Sequence, residues 1–519
     1  MTRDVIPGIL VAMLLALALR CPELDRRPMH NDEAVNAVKC HQAMEAGAYR
    51  YDPNEHHGPT LYYATRVWLA LTGGGDFTRL TEGRLRALTV CFGVGLILLF
   101  PLAADGMGRW PVVWAGVLTA VSPAMVYYSR DYIHETLFVF FSFAAMGCGW
   151  RYWRSRKLGW GLLAGAAVGL LQATKETFVL PVGAMILAVA LNAAWSRWME
   201  PESGAAPRHL RLDHLLAAVA VWLGVAVLFF SSFLGNAAGP LDAVRTYSPW
   251  IHRAAGGSPH DHPWDYYLTR LAWFHTDSGP IWSEGLILVL AAVGAWAALS
   301  RKGPPGSNPA FLRFLLMYAV LLAGMYSAIA YKTPWCLLGF WQAFILLAGV
   351  GAVVIFHRLR RLSDRVLCGG LLAVAVGDLA WQAWQLAVPY SADRRNPYVY
   401  AQTSPNILEL RDVLNSLASV ASAGRHLVIE VMAPGSDYWP LPWTLRAFDQ
   451  VGWWSEVPSQ PPAPVIILSP RFESQLDSSG THVMAGLFEL RPDVFFELYV
   501  ETNLWERHVR QLHPNAERR

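Results

Sequence analysis

The chain has 519 residues, of which 54% are hydrophobic and only 16% charged, with 23 tryptophans. A soluble domain of that composition would be hard to keep in solution, which excludes the ordinary globular class and indicates an integral membrane protein. The net charge of +3 gives no reason to expect a nucleic-acid partner.

In chain order, the first apolar window, 5–21, ends at Arg20 and Cys21 without a small-residue cleavage site. It is expected to remain as a span and not to be removed as a signal peptide. A first loop, 22–83, follows, too long to be a mere connection. Within it DEAVNAVKCHQAMEAG reads as a helix, with Asn31 or Asp32 as N-cap, Gly47 at its end, and Ala34, Val35, Val38, His41 and Met44 near one face. TLYYATRVWLALTGG, after Gly58-Pro59, reads as a second amphipathic helix, and YRYDPNEHHGP between them as an ordered turn. Ten further windows approach the roughly 20 apolar residues that cross a hydrocarbon core: 84–104, 111–128, 134–152, 158–172, 177–195, 213–232, 281–299, 311–330, 337–356 and 366–388.

The tail from 389 changes composition. VLNSLASVA reads as a helix and HLVIEVMA as a strand, DYWPLPWTLRAF as a helix entry, and VIILS and VFFELYV as further strands. The expected architecture is therefore an α-helical polytopic membrane protein of about eleven spans, with a membrane domain (1–388, including the surface helices of 22–83) and a C-terminal α/β domain (389–519).

Orientation follows from arginine and lysine in short loops. RYWRSRK, SRWMEPESGAAPRHLR, SRKGPPGSNPAFLR and HRLRRLSDR all fall on one parity and are assigned to the cytoplasm. The opposite loops and the tail are then extracytoplasmic. The six scattered cysteines show no metal-type spacing and imply no disulfide framework.

That topology gathers five polar clusters on the outer face: His30/Asp32/Glu33, His56/His57, Arg130/Asp131/His134/Glu135, Lys175/Glu176 and Tyr331/Lys332/Trp335. Taken singly, each has a bland explanation, since boundary cations snorkel and Asp32 could simply cap a helix. Taken together they suit a site that deprotonates a hydroxyl and holds a phosphate. The cations would supply an anion clamp; the carboxylates would supply a base, or metal ligands if a divalent cation bridges the phosphate. Asp131 and Glu135 share one face if their turn is helical.

HNDEAVNA, YRYDPNEHHGPTLYY, YYSRDYIHETLF, ATKETF, YKTPW, NPYVYAQTSP and DYWPLPWTLR, in that order, resemble the GT-C membrane glycosyltransferases. The nearest branch is that of protein O-mannosyltransferases and lipid A aminoarabinose transferases, and most closely the prokaryotic flippase-activity-associated family. The resemblance implies transfer of a sugar from a polyprenyl-phosphate lipid to an extracytoplasmic acceptor at the plasma (inner) membrane. By analogy Asp32, beside Glu33, becomes the candidate base and Asp131 the second acidic position. Lys175, Lys332 and Arg130 would meet the donor phosphate. His30, His56, His57, Glu135, Glu176, Tyr331 and Trp335 would shape the sugar and acceptor pocket.

Three other readings compete. A transporter or flippase for a lipid-linked saccharide predicts functional polar groups at mid-membrane and on both sides, and the spans carry almost none. A metal-dependent hydrolase built on His30, Asp32, His56 and His57 lacks a recognisable ligand spacing. A scaffold presenting the tail leaves the clustered carboxylates unexplained.

Overall fold

The structure is a computed structural model that describes residues 5–47, 49–54, 57–199, 211–254, 256–276, 278–472, 476 and 480–513. Helices occupy all eleven apolar windows: Ile6–Arg20, Glu82–Leu99, the pair Arg109–Val121 and Pro123–Ser129, Glu135–Ser155, Leu158–Gln172, Val179–Met199, Leu212–Phe230, Gly285–Ser300, Pro309–Ala328, Leu338–Arg358 and Leu362–Ala387. Among the described residues, six helical stretches are long and apolar enough to cross a membrane, or seven with the bent pair. The window 111–128, expected as one span, is broken by 62°. Ser122 ends the first piece and caps the second, its hydroxyl accepting from Met125 N, and Pro123 cannot continue the helical ladder.

The chain forms two compact units, one of residues 1–24, 42–68 and 86–400, the other of 25–41, 69–85 and 401–519. The first is helical and built around an apolar core that includes Phe100, Leu118, Leu315, Trp341 and Leu347. Helices Gly285–Ser300 and Leu338–Arg358 meet backbone to backbone. A Cβ on Gly351 would lie 1.9 Å from Leu290 O and one on Gly294 would lie 2.1 Å from Leu347 O. Small residues permit this close approach, by which membrane helices gain packing.

The second unit contains a five-stranded sheet: β1 Ile429–Met432, β2 Val451–Trp454, β3 Val465–Leu468, β4 His482–Arg491 and β5 Val494–Glu501, in the order β2-β1-β3-β5-β4. β1 pairs parallel with β2 and β3, while β5 runs antiparallel to β3 and β4. β1 and β3 are buried along their whole length, as strands covered on both faces should be, and Glu430 within β1 accepts from Gln460 Nε2 (2.7 Å) and Ala463 N (3.2 Å). Ile429, Val431, Val465 and Ile467 pack against Ile407, Leu410, Leu414 and Leu417 of helix Asn406–Val420. Met432, Ile466 and Leu468 point to the opposite face with Tyr499. Within this unit Trp443 Nε1 donates to Glu82 Oε1 (2.7 Å) and Arg446 to Leu80 O (2.7 Å).

The expected strands at HLVIEVMA, VIILS and VFFELYV are present, as is the helix over VLNSLASVA. DYWPLPWTLRAF yields only the short helix Leu441–Thr444. The sequence reading omits β2, β4 and the last helix, Thr502–Leu512. β2 is four residues long with a glycine in it, and two register shifts interrupt the alternation of β4.

In the first loop, helices Asn31–Glu45 and Thr60–Thr72 stand where they were expected. The buried face of Asn31–Glu45 is Glu33, Ala34, Asn36, Ala37 and Cys40, not the expected stripe through Val35, Val38 and Met44. Small and polar side chains pack inward here.

Candidate active site

The N-terminus of helix Asn31–Glu45, in the second unit, carries the first acidic pair. The cap is His30, not Asn31 or Asp32. The His30 ring Nδ1 accepts from Asp32 N (3.1 Å), and Glu33 Oε2 reaches back to accept from His30 N (2.9 Å). This is a reciprocal capping box with histidine in the place of serine. Glu33 is fully buried and also lies 3.5 Å from the Arg27 guanidinium. Asp32 is only half-buried. Just upstream, Thr403 Oγ1 donates to Met29 O (2.6 Å) and Gln402 Nε2 to Pro28 O (3.2 Å), so the QTS segment holds the approach to the helix.

Within the first unit, three turns meet. Gly58 N donates to Thr174 O (3.2 Å) and Thr60 N to Ala173 O (3.0 Å), drawing the first loop against the turn before Lys175. Only glycine fits at 58, because a Cβ there would sit 2.1 Å from Ala173 O. This contact brings His57 Nδ1 to 3.0 Å from Glu176 Oε2. His134 Nε2 reaches Gly58 O (3.1 Å), and its ring stands edge-on to His57 at 5.1 Å. Trp250 stacks on the other side of His57 at 5.6 Å. Next to it, Lys175 Nζ and Glu135 Oε1 form a buried ion pair of 2.6 Å. Burial pulls the Lys175 ammonium down, but Glu135, Cys336 and Glu176 around it together outweigh burial and hold it well above the usual lysine value. The expected His57, Glu135, Lys175 and Glu176 therefore converge, although the turn Arg130–His134 is not helical and Asp131 and Glu135 do not share a helix face. His56 lies outside the described residues.

The turn bearing Tyr331, Lys332 and Trp335 joins a second group. Trp335 lies edge-on to Tyr128 at 6.4 Å and to Tyr400 at 5.9 Å. Lys332 is buried and donates from Nζ to His262 O (2.9 Å) and to Ile329 O; burial lowers its pKa from the usual 10.5. Tyr331 bridges to Asp261 through the backbone. Around them stand His260, His262, Tyr266 and Arg270. His262 stacks on Tyr266 at 4.2 Å, and the Arg270 guanidinium carbon sits 3.5 Å from the Tyr266 ring centre. His262 Nε2 and Arg270 Nε are buried without a hydrogen-bond partner among the described residues. Unmatched donors beside a lysine and an arginine suit an incoming anion. Sequence reasoning missed this group, which lies in 233–280, a stretch read only as an outer loop. Its signal was HDHPWDYYLTR, where two histidines, two tyrosines and an arginine fall within eleven residues.

Arg130 and Asp131 are buried. Arg130 donates to Arg20 O (2.8 Å), Pro22 O (2.7 Å) and Glu23 O (3.3 Å), so its guanidinium closes the end of helix Ile6–Arg20. Glu284 also went unnoticed in the sequence. It is buried with four donors: Ala124 N (2.9 Å) and Tyr398 Oη (2.5 Å) on one oxygen, Ser122 Oγ (2.5 Å) and Trp341 Nε1 (3.1 Å) on the other. Among the described residues, no three His, Cys, Asp or Glu side chains converge so as to hold a metal ion. Glu135 faces Lys175, one oxygen of Glu176 faces His57, and Glu284 is held by N–H and O–H donors, so among the described residues these carboxylates do not offer the divalent cation a ligand set.

No curated protein sequence matches the chain. The dolichyl-phosphate-mannose-protein mannosyltransferase family matches residues 56–223. Among solved structures, ArnT from Cupriavidus metallidurans in the apo state is similar with a TM-score of 0.64 and 16% identity, over 96% of this chain and 98% of that one. The same protein bound to undecaprenyl phosphate gives 0.63 and 15%, with the same coverage. The apo oligosaccharyltransferase of Archaeoglobus fulgidus gives 0.51 and 15%, over 88% of this chain and 65% of that one. The chain has the fold of these membrane glycosyltransferases over nearly its whole length, and its long apolar helices make it a multi-pass membrane protein.

Proposed function

We propose that this chain is a glycosyltransferase of the plasma (inner) membrane that moves a sugar from a polyprenyl-phosphate donor to an extracytoplasmic acceptor, a protein or a glycolipid. The observation that carries the reading is the convergence of the buried Lys175–Glu135 and His57–Glu176 pairs, in the same unit as the Lys332/Arg270 group. Buried charged groups are costly and need a use. The ArnT structure that holds undecaprenyl phosphate supports a lipid of that class as donor. In this reading the chain crosses the membrane eleven times, with its N-terminus in the cytoplasm and residues 389–519 outside as a separate domain.

The proposed step is a single displacement. The acceptor hydroxyl gives its proton to Asp32 as its oxygen bonds to the anomeric carbon. The bond from that carbon to the phosphate oxygen breaks, and its electron pair leaves on the polyprenyl phosphate, inverting the anomeric centre. Charge grows on the departing phosphate, where Arg270 and Lys332 hold it. His57, Glu176, Trp250 and Trp335 frame the sugar, with rings for its apolar face and polar groups for its hydroxyls. Arg130 acts as a positioning residue through the carbonyls it closes, and Asp131 is the acidic residue of its turn.

The test is sugar transfer from a purified polyprenyl-phosphate donor by wild type and Asp32→Asn at matched expression. The helix start is held by His30 and Glu33 and not by the Asp32 side chain, and asparagine keeps its size, so folding and donor binding are retained. Turnover falls by about 10²–10⁴-fold, the usual contribution of a general base. Equal rates remove Asp32 from the chemistry.

A further inference from the structure

The second unit contains a cavity that the transfer reaction does not use. It has a volume of about 190 Å³ and lies at the carboxyl ends of β1 and β3. After β1 the chain turns to β2 on one side; after β3 it crosses to β4 at the far edge. Open α/β sheets leave a ligand crevice where successive connections part in this way. Ala433 and Pro434 follow β1, Ser469 and Arg471 follow β3, and Asp493 of the β4–β5 turn with Val494–Phe496 at the start of β5 closes a third side.

The lining defines what would fit. Phe496 is buried, while Phe495 is 41% exposed at the same turn. Ser469 is buried, and among the described residues its hydroxyl oxygen accepts only a long bond from Arg471 N (3.4 Å) and its proton meets no acceptor, which leaves it to a ligand. Asp437 is neutralised by an ion pair with Arg491. The exposed Arg471 and Asp493 side chains make no ion pair or hydrogen bond among the described residues, and their charges cancel. An anion gains nothing from a lining of zero net charge, and an apolar ligand would strand the charged groups. A neutral polyol, by contrast, donates to Asp493, accepts from Arg471 and Ser469, and lays its apolar face on Phe495. The cavity is worth roughly six waters at about 30 Å³ each and falls below the drug-sized range. One sugar ring matches that size.

We propose that this cavity is a binding site for a single neutral saccharide unit, separate from the transfer site. The inference does not depend on the transferase reading, because binding is read without turnover. The experiment uses the full-length chain in lipid nanodiscs and saturation-transfer NMR with methyl glycosides of a hexose, a pentose and an N-acetylhexosamine. Phosphorus line width with inorganic phosphate serves as the anion probe. At least one glycoside shows saturation transfer, and its apparent affinity falls by about tenfold, the loss of one good contact, in Phe495→Ala and in Arg471→Ala/Asp493→Asn. It is unchanged in Arg270→Ala. All three pocket positions are exposed, so the fold tolerates these changes, and an unshifted thermal transition verifies this. The proposal is overturned if no glycoside binds, if binding survives both pocket variants, or if only phosphate binds. A loss of transfer activity in Arg270→Ala with glycoside binding intact separates the two sites.

Discussion

Asp32 and Glu33 are neighbours in sequence, but their surroundings assign them different work. Glu33 is buried, closes the capping box and faces Arg27, whereas Asp32 keeps access to solvent. Glu33→Ala should therefore destabilise the protein by about 0.5–2 kcal/mol, because it opens the capping box at the helix start. The measurement is the thermal transition in detergent, where Asp32→Asn should show no shift. Lys332 gives a pH prediction. Its pKa is lowered by burial, so its charge is lost at a lower pH than that of an ordinary lysine. Donor affinity that depends on this cation falls as pH rises through the lowered value, and stays constant below it. Titrating the Kd of a polyprenyl phosphate on the alkaline side checks this, with Lys332→Gln expected to flatten the profile. In the same window, between the lowered value and the usual 10.5, the unfolded chain binds the extra proton, so this group makes stability rise with pH.

At the scale of elements, Glu284 fastens four pieces: the Ser122 bend, helix Gly285–Ser300, helix Leu338–Arg358 and the segment at Tyr398. Glu284→Gln replaces one acceptor oxygen by an amide that must face a donor, and should cost about 1–3 kcal/mol. Glu284→Ala strands all four donors and should cost more, read as the thermal transition or the yield of folded protein in the membrane. The long apolar helices were legible because each is an uninterrupted run of membrane length, a signal that needs no partner. The bend at Ser122-Pro123 could have been read from its proline. β2, β4 and the last helix were not legible, since an edge strand of four residues and a bulged strand carry no clean alternation. The charged turns were legible for the reason the helices were: His57, Glu135, Lys175 and Glu176 stand out at the ends of apolar runs. Arg270 and His262 sit in a polar loop, where a charge is no surprise. Glu284 takes its meaning from Tyr398, 114 residues away.

For the whole molecule, orientation decides whether the proposed chemistry faces the right compartment. In a cysteine-free background, Ser459→Cys should react with a membrane-impermeant thiol reagent added outside intact cells, and a cysteine in the basic loop 300–308 should not. Labelling of position 459 only after permeabilisation would place the tail in the cytoplasm and remove the basis for the proposed function. Which unit each residue joins could not be read from the sequence. Asp32 belongs to the second unit and Asp131, Lys175 and Lys332 to the first, a grouping that depends on contacts between segments hundreds of residues apart.

The Glu284 fastening also has an order in time. Synthesis delivers Ser122 and Ala124 well before Glu284, and Trp341 and Tyr398 well after it. As the nascent chain enters the membrane, the carboxylate therefore meets only half its donors at first. It acquires the third when helix Leu338–Arg358 inserts and the last only once the ribosome has passed the final apolar helix. Until then an incompletely satisfied acid sits among the helices, and a chain ending at 388 would keep that immature state permanently. Biogenesis of the first unit is complete only when its last residues, beyond the final apolar helix, have been made.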